Sequence, residues 1–431
     1  MLNQFNVSIW GDEAFSAILS QKSFFDIIKI ISRDTSPPLY NLLEHIWFQV
    51  FGSSEVSIRA LSFLFFMVAI FFVFKIGEYY WDKKTGFLAA VLTFLNPFFF
   101  IYAFEGRMYS LLAATIIGSF YFFIKKEWKL YIVITALALY THHFAMFALF
   151  FQGLWFFKKL IFDRDKKIKE NFYAFIITGV LYIPWLIPLY NQTKMVGSGF
   201  WLAKPTLADL SGLVSKYLAK GSDNFFTKSA LYVVIATFVV RIWNKNTQKT
   251  IFLLLWFFVP ILTVFAISQK FQPIFYDRYM IYTIPAAMLI LVSQKRQISS
   301  ILIAVIIALF LISDANYFTH PTKLPFRNLA SYVMSVEKNG DYLINWNGAS
   351  HHLWESKYYK IPAPIYVPGN VSLPYFVGTA LMEPGDIISK IPKNTRRVGV
   401  ITSGPVEEVK IPGYTEKEVR SFGDLKFIWY E

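Results

Sequence analysis

About ten apolar stretches, each close to the thickness of a bilayer, follow one another between residues 57 and 314. They limit what this chain can become more than any other feature. They run over 57–76, 86–104, 107–124, 129–142, 143–160, 172–190, 229–243, 250–268, 276–292 and 298–314. In lipid a segment of this kind satisfies its backbone hydrogen bonds only as a helix, so the pattern predicts a polytopic α-helical membrane protein. Composition agrees: 55% of residues are hydrophobic and 16% charged, too apolar for a water-soluble globule of 431 residues. Only Thr141-His142-His143 separates the fourth stretch from the fifth, which leaves open a tight hairpin of two spans or one long broken helix.

The formal charge of +14 sets orientation and does not signal nucleic-acid binding, because the basic residues gather in short loops between apolar stretches. The loops 75–85, 125–129, 158–170, 241–249 and 293–297 carry seventeen Lys and Arg, whereas 105–107, 141–143, 191–228 and 269–278 carry eight over a greater length. The first set is therefore expected on the cytoplasmic side of the plasma (inner) membrane, and residues 1–56 and 315–431 outside. With no Cys in the chain, disulfides and thiolate metal sites are excluded. The start of the chain has neither the basic nor the apolar part of a signal peptide, so export of the N-terminal segment predicts a spanning helix upstream of Met1.

Three domains are expected. Residues 1–56 form an outside loop with interfacial helices and an acidic motif. Within it, Lys22, Asp26, Lys29 and Arg33 recur at spacings of four, three and four among Phe and Ile, the pattern of a helix lying in the interface. Ser36-Pro37-Pro38 breaks the chain before a second helix over 39–51, which Gly52 ends. Residues 57–314 form the transmembrane domain. Residues 315–431 read as a small extracytoplasmic α/β domain, with a helix over 326–338 and strands over 342–346, 397–402 and 425–430 among Pro and Gly turns.

The outside-facing segments carry an ordered set of motifs. Trp10-Gly11-Asp12-Glu13 opens it, followed by Asp34-Thr-Ser-Pro37-Pro38-Leu39-Tyr40 and by Phe51-Gly52-Ser-Ser-Glu55 with Arg59. Glu105-Gly-Arg107-Met-Tyr109 stands at the next outside turn, Tyr140-Thr141-His142-His143 at the one after, and Asp277-Arg278-Tyr279 with Pro285 at the last. Each motif has a plain structural reading: acids at a helix start, arginines snorkelling to the interface, a helix-ending Asp34 before Ser-Pro-Pro, histidines at a helix turn. In this order and spacing, over roughly 10–285, they resemble the protein O-mannosyltransferase-like family of polyprenyl-phosphate-sugar glycosyltransferases. That family has the GT-C fold and includes the lipid A aminoarabinose transferases.

The resemblance implies an inverting glycosyltransferase that takes a sugar from a polyprenyl-phosphate donor and passes it to an acceptor hydroxyl of a protein, lipid or envelope glycan. Asp12 matches the catalytic base and Glu13 its acidic neighbour. Arg107 and Arg278 would pair with the donor phosphate as the glycosidic bond breaks. Asp34, Tyr40, Glu105, Tyr109, His142 and His143 are the candidate substrate-binding residues. Adjacent histidines point in different directions, so no metal site follows from His142 and His143, and metal dependence stays open. The partners are the lipid-linked donor, the acceptor and the bilayer. The alternative is a transporter or flippase for a lipid-linked or polar solute, which predicts ionisable groups at the bilayer midplane and repeated halves. Here the charges gather at one face and no repeat is visible.

The charge count yields a direct test in a chain free of Cys. A cysteine introduced at Ser350 should react in intact cells with a membrane-impermeant thiol reagent applied outside, and protection there would reverse the orientation.

Overall fold

The computed structural model describes residues 2–161, 172–219, 225–244, 247–293, 297–346, 352–369 and 373–431. Parts of the expected cytoplasmic basic loops 158–170, 241–249 and 293–297, and Ser350, lie outside the described residues. Three helices open the chain: α1 (Gly11–Ser20), α2 (Phe24–Ile31) and α3 (Leu39–Phe51). The amphipathic pattern over 22–33 is realised as the eight residues of α2, with Ile27 and Ile31 buried and Phe25 exposed. Ser23 starts α2 by exchanging hydrogen bonds with Asp26 across its first turn, at 2.6 Å and 3.3 Å.

The apolar stretches then form α4 (Glu55–Tyr80), α5 (Lys83–Phe94), α6 (Pro97–Ile101), α7 (Tyr109–Lys125), α8 (Trp128–Thr141) and α9 (Ala145–Ile161). They continue as α10 (Tyr173–Tyr182), α11 (Leu186–Gly197), α13 (Phe225–Asn244), α14 (Gln248–Lys270), α15 (Ile284–Val292) and α16 (Gln297–Thr319), and α12 (Leu207–Ala219) forms within 191–228, expected as a loop. Among the described residues, five helices are long and apolar enough to cross a membrane: Glu55–Tyr80, Tyr173–Gly197, Phe225–Ile242, Gln248–Lys270 and Ser300–Thr319. The bent pair Lys83–Phe94 and Pro97–Phe104 passes the same test only when taken as one broken span. Thr141-His142-His143 separates two distinct helices, α8 and α9. The stretch over 276–292 is a 3-10 segment, Asp277–Thr283, followed by the nine-residue α15, which is buried along its whole length. At 1.5 Å per residue α15 is only about 14 Å long, and it packs on α5 and α14 in place of lipid.

The 59° bend between α5 and Pro97–Phe104 has a local cause. Pro97 cannot continue a helix from the preceding turn, and Asn96 caps the new one by accepting from the Phe99 N–H at 3.0 Å. The Asn96 amide also donates to the Tyr217 carbonyl at 2.9 Å, which ties the bend to α12. Polar side chains join neighbouring helices elsewhere. Ser119 of α7 and Thr135 of α8 lie 2.7 Å apart, and Gln152 of α9 accepts from Tyr131 at 3.0 Å and donates to Ser119 at 3.1 Å.

Residues 31–40 and 59–319 make one compact unit, and residues 1–30, 41–58 and 320–431 make another. The second unit is built on a six-stranded sheet in the order β3-β2-β1-β4-β6-β5. Its strands are β1 (Asp341–Trp346), β2 (Ile365–Tyr366), β3 (Ile387–Ile388), β4 (Arg397–Thr402), β5 (Glu416–Phe422) and β6 (Leu425–Tyr430). β1 to β4 pair in parallel, and β4, β6 and β5 are antiparallel. Helix α17 (Phe326–Val336) covers one face of the sheet through Phe326, Leu329 and Val333.

The N-terminal segment is part of this same unit. Phe15 of α1 meets Trp354 of α18 (Leu353–Tyr358) edge to face at 5.3 Å. Beside them Gly378 has φ +88°, and a Cβ there would lie 2.9 Å from both rings. Arg327 donates to Glu55 at 2.7 Å, and Tyr359 donates to Glu55 at 2.8 Å. The two sequence-distant parts thus fold as one body.

The hairpin of α4 and α5 depends on two glycines. A Cβ at Gly77 would lie 2.6 Å from the Gly86 Cα, and one at Gly86 would lie 2.6 Å from the Phe74 carbonyl oxygen. Gly86→Ala is expected to destabilise the protein by about 1–3 kcal/mol through overpacking, read as a lower Tm in detergent. Gly153→Ala, whose Cβ meets nothing within 4 Å, is the control and should leave Tm unchanged or raise it.

Candidate functional site

The bend at Asn96-Pro97 delivers Glu105 to a turn ahead of α7, where the Arg107 N–H donates to the Glu105 carbonyl at 2.7 Å. The carboxylate of Glu105 accepts from Nη1 of Arg278 at 3.4 Å, with both side chains largely buried. Nη2 of Arg278 donates to the Tyr276 hydroxyl at 3.3 Å, and the guanidinium carbon lies 4.8 Å from the Tyr276 ring centre and 5.4 Å from that of Tyr109. Two aromatic faces and a carboxylate thus seat one arginine, an arrangement that suits a planar delocalised cation better than an ammonium.

The segment bearing Arg278 is itself anchored. Asp277 accepts from Lys216 at 2.9 Å, and the Tyr217 hydroxyl donates to the Asp277 carbonyl, which pins the 3-10 turn to α12. Tyr279 packs 4.8 Å from the ring of His142 and 6.3 Å from Tyr109. His142 accepts at Nδ1 from the Phe144 N–H at 3.1 Å, so its ring serves as a neutral acceptor. Glu105, Tyr109, His142 and Arg278, drawn from three separate motifs, thus meet at one end of α7 and α8, and Arg107 stands in the same turn as Glu105.

His143 has a different task. Its Nε2 donates to Oε1 of Gln192 at 2.8 Å, while the Gln192 amide donates to the carbonyls of Ile31 at 2.9 Å and Ser36 at 3.2 Å. His143 thereby braces the turn that carries Asp34, whose own N–H donates to Ile31 at 3.1 Å. Asp34 is half-buried and Tyr40, at the start of α3, is buried.

Asp12 and Glu13 belong to the other compact unit. Both lie in the first turn of α1, where acids favour the helix N-terminus. Asp12 is half-buried, whereas Glu13 is fully buried and accepts from Lys323 at 2.9 Å. That ion pair occupies Glu13 in holding α1 to the segment ahead of α17. Sequence reasoning missed Tyr276, Gln192, Lys216 and Lys323. Tyr276 precedes a motif already singled out and was within reach of that signal, but the others act across 49 to 310 residues and leave no local trace. Among the described residues, no group of three or more His, Asp and Glu is placed to hold a metal ion.

Residues 12–331 match the EpsG family. No curated protein matches the sequence. Among solved structures the chain is similar to ArnT from Cupriavidus metallidurans in the apo state, with a TM-score of 0.70 at 10% identity over 99% of this chain and 94% of that one. It is also similar to the apo form of the Archaeoglobus fulgidus oligosaccharyltransferase, with a TM-score of 0.50 at 11% identity over 84% of this chain and 60% of that one. At such identities the likeness is one of fold, and it establishes the GT-C membrane fold with a small C-terminal sheet.

Proposed function

The chain belongs to the EpsG family, and from that premise we propose that it is an inverting glycosyltransferase of the GT-C kind. It moves a sugar from a polyprenyl-phosphate carrier to an acceptor hydroxyl at the outer face of the plasma (inner) membrane. The observation that carries this reading is the seat of Arg278, which is held by Glu105, Tyr276 and Tyr109, with Arg107 in the Glu105 turn beside it. Two guanidinium groups beside uncharged aromatic and imidazole rings suit a phosphate ester at a helix-bundle end, where charge need not enter the bilayer core. The GT-C fold shared with ArnT and the archaeal oligosaccharyltransferase supports the reaction class.

In the reaction, the acceptor oxygen attacks the anomeric carbon from the side opposite the phosphate. The bond from carbon to phosphate oxygen breaks, polyprenyl phosphate departs with the electron pair, and the acceptor proton passes to a carboxylate. Asp12 takes the role of base on the strength of the sequence motif, and Glu13, committed to Lys323, helps position α1. Arg278 and Arg107 stabilise the charge that grows on the leaving phosphate. Glu105 holds Arg278 through a 3.4 Å contact, long for an ion pair, so an incoming phosphate competes well for the same guanidinium. Neutral His142 adds a hydrogen-bonding ring without adding charge.

The test is donor-dependent kinetics in liposomes with a polyprenyl-phosphate sugar. Asp12→Asn keeps the shape but loses the proton acceptor and should lower kcat by roughly 10²–10⁴-fold. Arg278→Lys should lower kcat by roughly 10–100-fold, because an ammonium cannot bridge two phosphate oxygens. Turnover near the parent value in both variants would overturn the assignment.

A further inference from the structure

The sheet unit holds a side-chain cluster that the transfer reaction does not use. In the order β3-β2-β1-β4-β6-β5, the chain leaves β1 for β2 on one side while β4 lies on the other, and β1 and β4 are parallel, with Asn345 opposite Ile401. In an open α/β sheet that reversal leaves a crevice outside the carboxyl ends of the two strands, where such folds bind their ligands. Ser403 follows directly on the end of β4, and His352 stands at the start of α18, the helix between β1 and β2. The two meet there, Nε2 of His352 lying 3.0 Å from the Ser403 hydroxyl. On its other side, Nδ1 of His352 lies 3.3 Å from Oε1 of Glu355, one turn along α18.

One tautomer serves both contacts. With its proton on Nδ1 the ring donates to the Glu355 carboxylate, which leaves the Nε2 lone pair to accept from the serine hydroxyl. The surroundings fix this arrangement. His352 and Glu355 are buried, and the His352 ring packs 5.7 Å from that of Phe326 in α17. Helix α18 is tied to β1 through Asn345 and Ser356, whose side chains exchange hydrogen bonds at 3.1 Å and 3.2 Å. The turn after β4 is held as well: Lys426 donates to the Gly404 carbonyl at 2.7 Å, and the Gly404 N–H donates to the Thr402 hydroxyl at 3.0 Å. Ser403 itself is only half-buried, and a Cβ at Gly404 would meet nothing closer than 3.5 Å, which leaves open ground beside the serine. The carboxylate and the ring are thus withdrawn from water and the hydroxyl less so, the order that lets a substrate touch a nucleophile whose base stays oriented from behind.

From this geometry we propose that Ser403 and His352, with Glu355 behind them, form a second catalytic site that cleaves small carboxylic esters. Oγ of Ser403 attacks the ester carbonyl while its proton passes to Nε2 of His352. The alcohol leaves with that proton, and an acyl-serine remains. Water then attacks the acyl carbon and gives a proton to Nε2, and the departing serine oxygen takes it back, which releases the carboxylic acid. Glu355 touches no substrate. It is a positioning residue that keeps the ring in its tautomer and stabilises the imidazolium that forms. The site is independent of the sugar transfer, so its test requires no lipid-linked donor.

The full chain in detergent would be treated with a biotinylated fluorophosphonate, which phosphonylates an activated serine with loss of fluoride, and the modified residue would be located by mass spectrometry. Ser403 should be labelled in the folded protein and not after heat unfolding, and Ser403→Ala should remove the label together with hydrolysis of p-nitrophenyl acetate. His352→Gln and Glu355→Gln should each slow labelling by roughly 10²-fold or more. If His352→Gln fails to fold, Glu355→Gln carries the test, because it keeps an acceptor oxygen beside Nδ1 and loses only the charge, so a structural role alone would leave its labelling rate unchanged. A folded parent protein that leaves Ser403 unlabelled would overturn the proposal. So would labelling as fast in the folded variants as in the parent, and the cluster would then be a buried hydrogen-bond network only.

Discussion

Lipid leaves a polypeptide one economical way to satisfy its backbone, and the rest of this structure follows from that constraint. Every N–H and C=O in the bilayer core must be paired within a helix or against protein. Charged side chains are expelled toward helix ends for the same reason. Arg278, Glu105, Arg107 and the two histidines all stand at turns between helices. Lys126, Lys159 and Lys249 stand at or near the opposite helix ends. The bilayer thus sorts this chain's ionisable groups into two layers before any chemistry is considered.

Where the backbone departs from a straight helix, side chains make up the lost hydrogen bonds. The bend ahead of α6 leaves amide groups uncovered, and Asn96 satisfies one while its own amide reaches α12. The short helix α15 survives because protein surrounds it on all sides. Both irregularities serve the same end of the bundle. One aims the Glu105 turn, and the other leads out of the 3-10 segment that carries Asp277 and Arg278. A set of uninterrupted spans would place these residues at the ends of separate rods. The breaks bring them within 3.4 Å of each other.

The sheet unit follows a different logic, that of a water-facing α/β fold. Asp341 and Arg397 pair across the edge of β1 and β4 at 2.6 Å, and the Arg397 guanidinium carbon lies 4.0 Å from the Trp429 ring centre. Against the desolvation that would raise it, the hydrogen bonds from Arg397 hold the Asp341 carboxyl below its ordinary pKa. Glu13 enters this unit as a buried anion, and such an anion needs a fixed partner, which Lys323 supplies. An acidic pair that looks symmetrical in sequence is therefore divided by the fold: Glu13 is buried and paired, and its neighbour Asp12 is half-buried.

Read by itself, the sequence determined most helices of the bundle, three of the six strands of the tail and the motif residues at the turns, and it left α12, β2, β3 and β5 unmarked. Apolar runs, period-two alternation and Pro or Gly breaks are local signals that act over a few residues. Thus α3, α17, β1, β4 and β6 fall where their residues predict them. Only the tertiary structure decided which of those residues meet. The partner of Glu13 stands 310 residues away, that of Arg278 stands 173 away, and the ring of His143 is held by a glutamine 49 residues on. Pairings of this kind depend on how helices pack and where they bend, and that is a property of the whole folded chain.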